Sequence, residues 1–191
     1  YTPGQENNNS FNSYGFVAQH NINLSKVNLS VGSSLDYSPN TYEILETNVY
    51  RNIEGMFDSF SLTGNKLANY AVDIFNFGGY MSAEYNISDK LKLNGGFRLD
   101  RFNYDFINRL GVDANDYKAP NTKNSFTAFT PRLAAIYKFN KNIGLYTNYS
   151  NGFLPPSVGE LYRRSDVPLL DPSKFNNYEI GGWFSLFNNK L

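Results

Sequence analysis

Leu91, Leu93, Gly95, Phe97 and Leu99 alternate one by one with Lys92, Asn94, Gly96, Arg98 and Asp100. Successive side chains of an extended strand point to opposite faces, so this segment predicts a strand with one apolar and one polar face. The pattern returns at Val27, Leu29, Val31, Ser33, Leu35, at Phe75, Phe77, Gly79, Met81, Ala83, Tyr85, Ile87, and at Ile143, Leu145, Thr147, Tyr149. It predicts seven strands, over about 13–25, 27–37, 70–87, 91–106, 126–139, 143–150 and 176–187. Short turns at Ser25-Lys26, Ser88-Asp89-Lys90, Asn140-Lys141-Asn142 and Asn188-Asn189-Lys190 alternate with long polar connections at 38–69, 107–125 and 151–175. Each short turn carries a lysine, and the third long connection holds Pro155, Pro156, Pro168 and Pro172.

Strands this long exceed the globular norm of about 5–6 residues. With turns at one end and long loops at the other, they predict an all-β, antiparallel transmembrane β-barrel fragment. It has about seven long strands, short periplasmic turns and long outer loops. A closed barrel is the only sheet that can cross a bilayer, which places such a protein in the cell outer membrane. No apolar run approaches the roughly 18 residues of a transmembrane helix. The negative mean hydropathy is compatible with a barrel, because lumen-facing positions alternate with lipid-facing ones. The 17 basic and 17 acidic residues cancel, which gives no electrostatic reason for a nucleic-acid partner. Without cysteine there is no disulfide, thiolate metal site or thiol nucleophile. No signal peptide opens the chain, and residues 188–191 fall where a further strand would begin, so the sequence reads as a piece of a longer protein.

Residues 126–162, FTAFTPRLAAIYKFNKNIGLYTNYSNGFLPPSVGELY, resemble the barrel of TonB-dependent outer-membrane receptors. Thr130-Pro131-Arg132-Leu133 with Ala135 and Tyr137 is similar to the family's SPR-L-x-A-x-Y strand, with Thr130 in place of Ser. Leu145, Tyr146, Tyr149, Ser150, Gly152, Phe153 and Pro156 follow as its next strand and loop. Asn177, Glu179 and Gly181 match a later strand start, and Gly96, Arg98 and Asp100 an earlier strand. The resemblance covers about 70–191, with 1–69 covered by pattern alone. The asparagine- and aromatic-rich style resembles Bacteroidetes-type members. The family implies a barrel of about 22 strands with a plugged lumen. Plug and energy-coupling segment would lie N-terminal to the barrel, outside residues 1–191. It also implies active uptake of a scarce, bulky solute, foremost a ferric siderophore. The partners would be the TonB energy-coupling complex, outer-membrane lipid and the solute.

Arg98, Asp100, Arg132 and Glu179 fall on the lumen-facing side of their strands and are expected as wall residues. Candidate ligand contacts lie in the outer loops: Tyr42, Tyr50, Arg51 and Phe57 in the first, Tyr117 in the second, Tyr162, Arg163 and Arg164 in the third. Aromatic rings there suit stacking on a ligand, and the arginine pair suits an anionic one. His20, the only histidine, is expected as a packed or lumen residue rather than a metal ligand. Asp113, Asn115 and Asp116 lack the glycine and distal glutamate of a calcium loop. No metal site, cofactor or catalytic constellation emerges, so the chain reads as a non-enzyme. The alternatives are a passive porin or adhesin barrel, or a soluble secreted glycan-binding β-protein.

Overall fold

The structure is a computed structural model that describes residues 2–110, 119–162 and 170–185. β1 (Thr2–Phe11) and β2 (Tyr14–Asn23) are two halves of one interrupted edge strand, and both pair with β3 (Val27–Arg51). The interruption falls opposite Pro39, whose carbonyl accepts from the Asn12 N–H at 3.2 Å. Proline has no N–H to return that bond, so the ladder breaks there. β4 (Phe57–Asn86), β5 (Leu91–Asn108), β6 (Thr122–Lys138), β7 (Ile143–Leu154) and β8 (Ser173–Phe184) follow in antiparallel order. The result is one curled, open sheet with seven staves. A single helical turn, α1 (Val158–Leu161), lies between β7 and β8.

One expectation needs correction. Residues 38–69 are no loop: β3 and β4 continue as a paired hairpin from Ser38↔Ile74 to Arg51↔Phe57. β1, for which no strand was expected, adds a third strand to this extension. Its tip turns at Asn52, whose side-chain carbonyl accepts from the N–H groups of Glu54 and Met56, with Gly55 at φ +81°. At 30 residues and about 3.3 Å per residue, β4 is about 100 Å long. The described strand ends also lie outside some expected limits, with β5 reaching Asn108 and β6 starting at Thr122.

Register divides the sheet into two faces. One carries Leu35, Phe77, Met81, Phe97, Leu99, Phe129 and Leu133, all large, apolar and solvent-exposed. The opposite face carries Gln19, Tyr80, Arg98, Asp100, Arg132 and Glu179. In a closed barrel the apolar face meets lipid and the polar face lines the lumen. His20 lies on the apolar face of β2, opposite Val31 and exposed, not on the polar face.

The buried core lies on the polar face, at the end remote from the short turns. Val72, Tyr104, Phe106 and Phe126 of the sheet are covered there by Ala119, Leu161 and Tyr162. Returning loop segments thus supply the apolar cover that a single sheet lacks.

Candidate functional site

On the polar face, Asp100 is 2% exposed and receives two hydrogen bonds from Arg98, Nε to Oδ2 and Nη2 to Oδ1, both 2.7 Å. Arg98 Nη2 also donates to Ser34 Oγ at 2.7 Å, and its guanidinium lies 5.9 Å from the Tyr80 ring centroid. Tyr80 donates onward to Gln19 at 2.8 Å, so four strands share one polar lattice. Glycine makes room for it. A Cβ on Gly78 would lie 2.6 Å from Asp100 Oδ1 and collide with Arg98, and one on Gly32 would enter the Tyr80 ring. Arg132 stands opposite Gly96, and Glu179 accepts from the Tyr146 hydroxyl at 2.9 Å.

Toward the loop end an aromatic row crosses the same face. Tyr42 of β3 meets Tyr70 of β4 at 5.1 Å between centroids, and Tyr70 meets Phe106 of β5 at 5.3 Å. Phe106 stacks on Tyr162 at 4.2 Å and 15°. Tyr162 reaches the row because α1 folds back over the sheet. The Ser157–Glu160 capping box fixes that turn, Leu161 is fully buried, and the Tyr162 hydroxyl donates to Asn124 at 2.8 Å. The row walls a cavity of about 400 Å³ also lined by Ile44 and Leu67.

The electrostatics are those of neutral aromatics. Burial, with neighbouring Tyr104 and Asp105, pushes the Tyr162 phenol up, and burial beside Tyr42 does the same to Tyr70. Both hydroxyls stay protonated at neutral pH and offer donor atoms at the rim of an apolar wall. Such a surface stacks on planar or amphiphilic ligands rather than ligating a bare cation through phenolate.

Of the expected contacts among the described residues, only Tyr42 and Tyr162 come together here. Tyr50 and Phe57 sit near the hairpin tip, where Tyr50 pairs with the Ser61 hydroxyl at 3.3 Å. Arg51 donates to the Gly55 carbonyl at 3.1 Å and braces the tip turn. Tyr117, Arg163 and Arg164 lie outside the described residues, as do Asp113, Asn115 and Asp116. Tyr70 and Phe106 were missed, although the sequence marks them. Beyond Leu99 the alternation changes phase, so that Phe102, Tyr104 and Phe106 occupy the polar face while Arg101, Asn103 and Asp105 turn outward.

An antiparallel sheet with one lipid-compatible face, one polar face and an aromatic cleft at its loop end is a section of transmembrane barrel wall. The family description "TonB dependent receptor-like, beta-barrel" matches residues 1–189, and the chain belongs to that family. The ferripyoverdine receptor of Pseudomonas aeruginosa is 32% identical over 104 residues, which is 54% of this chain and 11% of that receptor. Among solved structures, the FpvAI–pyocin S2 complex superimposes with a TM-score of 0.71 at 22% identity, covering 98% of this chain and 25% of that one. The copper transporter OprC gives 0.68 at 12% identity, covering 95% and 29%. The chain therefore spans about a quarter of these structures, and its match about a tenth of the curated receptor. The named receptor and transporter are transport proteins, and barrels of this family are outer-membrane proteins.

Proposed function

We propose that this chain is part of the wall of an outer-membrane receptor that actively takes up a ferric siderophore. The observation that carries the reading is the aromatic cleft of Tyr42, Tyr70, Phe106 and Tyr162 at the loop end of a family barrel wall. A chelate with aromatic or extended apolar groups stacks on such rings, and its polar edge meets their hydroxyls. The likeness to the ferripyoverdine receptor supports a ferric chelate as cargo. Arg163 and Arg164, just beyond Tyr162 in sequence, suit a net negative chelate, with Tyr50, Arg51, Phe57 and Tyr117 as peripheral loop contacts. Arg98, Asp100, Arg132 and Glu179 form the lumen wall below. In this reading the turn end faces the periplasm. The plug and the segment engaging the TonB complex belong to parts of the receptor outside these 191 residues. The protein carries out no covalent chemistry. Its asparagine- and aromatic-rich composition supports a Bacteroidetes-type member.

The test is growth of a strain lacking the receptor gene on a ferric siderophore as sole iron source. Complementation by the full-length gene restores growth only when the energy-coupling complex is intact. Growth independent of that complex would favour a passive porin. No effect on any ferric chelate would sink the cargo assignment.

A further inference from the structure

Lysines gather on the polar face at the short-turn end, far from the aromatic cleft. The Asn86 N–H donates to the Lys26 carbonyl at 2.9 Å and the Lys138 N–H to the Lys90 carbonyl at 2.8 Å, which carries the ladders one residue past Val27 and Leu91. Lys26 therefore joins the inward row of Asn86, Lys92 and Ile136, and Lys90 joins the next row, Lys138, Gly144 and Trp183. A Cβ on Gly144 would run into the Trp183 indole, so glycine leaves the shelf on which that ring lies. Two clefts of about 500 and 510 Å³ share Lys90 and Lys138, and Lys141 lines the second beside Trp183. Lys92 pairs with Glu84 at 2.9 Å. Lys26, Lys90, Lys138 and Lys141 have no carboxylate within ion-pairing distance among the described residues. Asp89 is the one acidic side chain lining the two clefts. Tyr70 and Asn86 stand at opposite ends of the β4–β5 ladder, about 50 Å apart at roughly 3.3 Å per residue, so these clefts are separate from the aromatic one.

We propose that this end of the lumen wall is a second subsite for the solute, a release-side site that takes an anionic chelate carrying an aromatic ring. The inference rests on the uptake reading above and names a further place where the same cargo is held. Uncompensated charge of one sign along a concave wall focuses the field and raises the local concentration of an anion. The Trp183 indole adds a stacking face among the ammonium groups, so an aromatic anion is held on both counts. The cleft volumes also fall in the range of small-molecule sites. An acidic stretch of polypeptide would meet the charges and has no need of the ring. Each solvated lysine–anion contact is worth roughly 1.4- to 5-fold in affinity, so the subsite captures the chelate weakly and lets it go.

The test titrates the full-length receptor in detergent with the ferric complex of a sulfonated catechol, an anionic aromatic chelate whose iron quenches nearby tryptophan. The Trp183 signal is the difference between each receptor and the same receptor carrying Trp183→Phe. The expected result is saturable quenching of Trp183 that weakens as salt is raised. The K90Q/K138Q variant lowers the affinity about 2- to 30-fold, the worth of two such contacts, and K90R/K138R restores it. Lys123→Gln, which alters a lysine of the outward face, leaves it unchanged. Absent quenching of Trp183, or an affinity that K90Q/K138Q does not lower, overturns the proposal. Equal weakening by Lys123→Gln overturns it too, in favour of diffuse attraction. A shifted unfolding temperature in K90Q/K138Q with unaltered quenching would assign the lysines to an acidic segment of the receptor and also overturn it. Failure of every ferric chelate to support growth, with Trp183 quenching intact, would refute the cargo reading and leave an anion subsite standing. Normal siderophore uptake without Trp183 quenching would refute the subsite alone.

Discussion

Leu161→Ala tests whether the aromatic cleft is completed by a loop docked as a separable unit. Leu161 is fully buried among Val72, Tyr104, Phe106, Ala119, Phe126 and Tyr162. Truncation removes about three carbons of buried surface, worth about 2.4 kcal/mol, and leaves a cavity that adds to the loss. Partial collapse of the loop limits the total to about 2.5–4 kcal/mol. The sheet ladders do not depend on this side chain, so the cost falls on docking of residues 155–162. At about 1.4 kcal/mol per tenfold, the undocked population rises roughly 60- to 700-fold. Hydrogen exchange of the full-length receptor reads that population directly. The reporting amides are Leu161 N–H to the Ser157 carbonyl at 3.1 Å and Tyr162 N–H to the Val158 carbonyl at 3.0 Å. Their exchange should accelerate by that factor where opening is fast and reversible, while amides of Phe126–Thr130 in β6 change little. Unchanged exchange at 161 and 162 would show that Leu161 does not hold the loop. Equal acceleration in β6 would show that loop and sheet open together, and the cleft would then have no movable wall.

Tyr42→Ala removes one end of the aromatic row and should weaken ferric-siderophore binding about 2- to 12-fold in calorimetry, the worth of one stacked contact. Unaltered affinity would place the ligand elsewhere. Asp100→Ala strips the partly exposed Arg98 of its bidentate partner and should cost about 2–3 kcal/mol in refolding into vesicles, below the cost of exposing a fully buried charge. A change under about 0.5 kcal/mol would refute it. Gly78→Ala should damage the same ion pair by steric intrusion, so its effect and that of Asp100→Ala should be clearly non-additive in a double-mutant cycle. Loop docking should also depend on pH at both extremes. Ser157 hydrogen bonds hold the Glu160 carboxyl below its usual range, so the cap is intact above that range and is lost as pH falls through the lowered pKa. Burial raises the Tyr162 phenol, so its docking is fully favourable below about pH 10 and weakens above it, as the undocked phenol ionises first. Exchange at 161 and 162 that stayed flat across both ranges would refute these assignments.

The stave segments over 27–37, 70–99 and 143–149 were legible because their alternation was clean, and the polar-face positions of Arg98, Asp100, Arg132 and Glu179 followed from parity alone. The aromatic cleft was half legible. Tyr42 and Tyr162 were identifiable as loop-region aromatics, but their meeting depends on residues far apart in sequence. Tyr162 is brought in by Leu161 and the Ser157 cap, and nothing in the order of residues 151–162 states which face α1 will cover. His20 shows the opposite limit. Parity puts it with Phe16, Ala18 and Ile22, yet its chemistry argued for the polar side.

The hairpin at 38–69 shows why the pattern failed where the backbone did not. Alternation records a difference in environment between two faces of a sheet. Between Val27 and Tyr37, and again between Phe75 and Ile87, one face is apolar except at Ser33 and Gly79 and the other is mainly polar. At Asp73 on β4, Arg101 on β5 and Thr127 on β6 the outward positions become mostly polar; Arg101 and Thr127 face each other, and Asp73 pairs with Asp105 four residues further along β5. That line marks the upper limit of the lipid-compatible band. Above it two things happen. On β4, β5 and β6 the inward positions become Tyr70, Val72, Tyr104, Phe106 and Phe126, because returning loops cover them, and the alternation inverts its phase. On the hairpin extension no loop among the described residues covers either side, β4 is exposed from Phe57 to Leu67, and the alternation fades. Backbone pairing continues, since it needs only a partner strand. A phase inversion therefore locates inward packing above the band, and fading alternation locates a free-standing hairpin. Either sign can be read from sequence once the edge of the apolar band has been drawn.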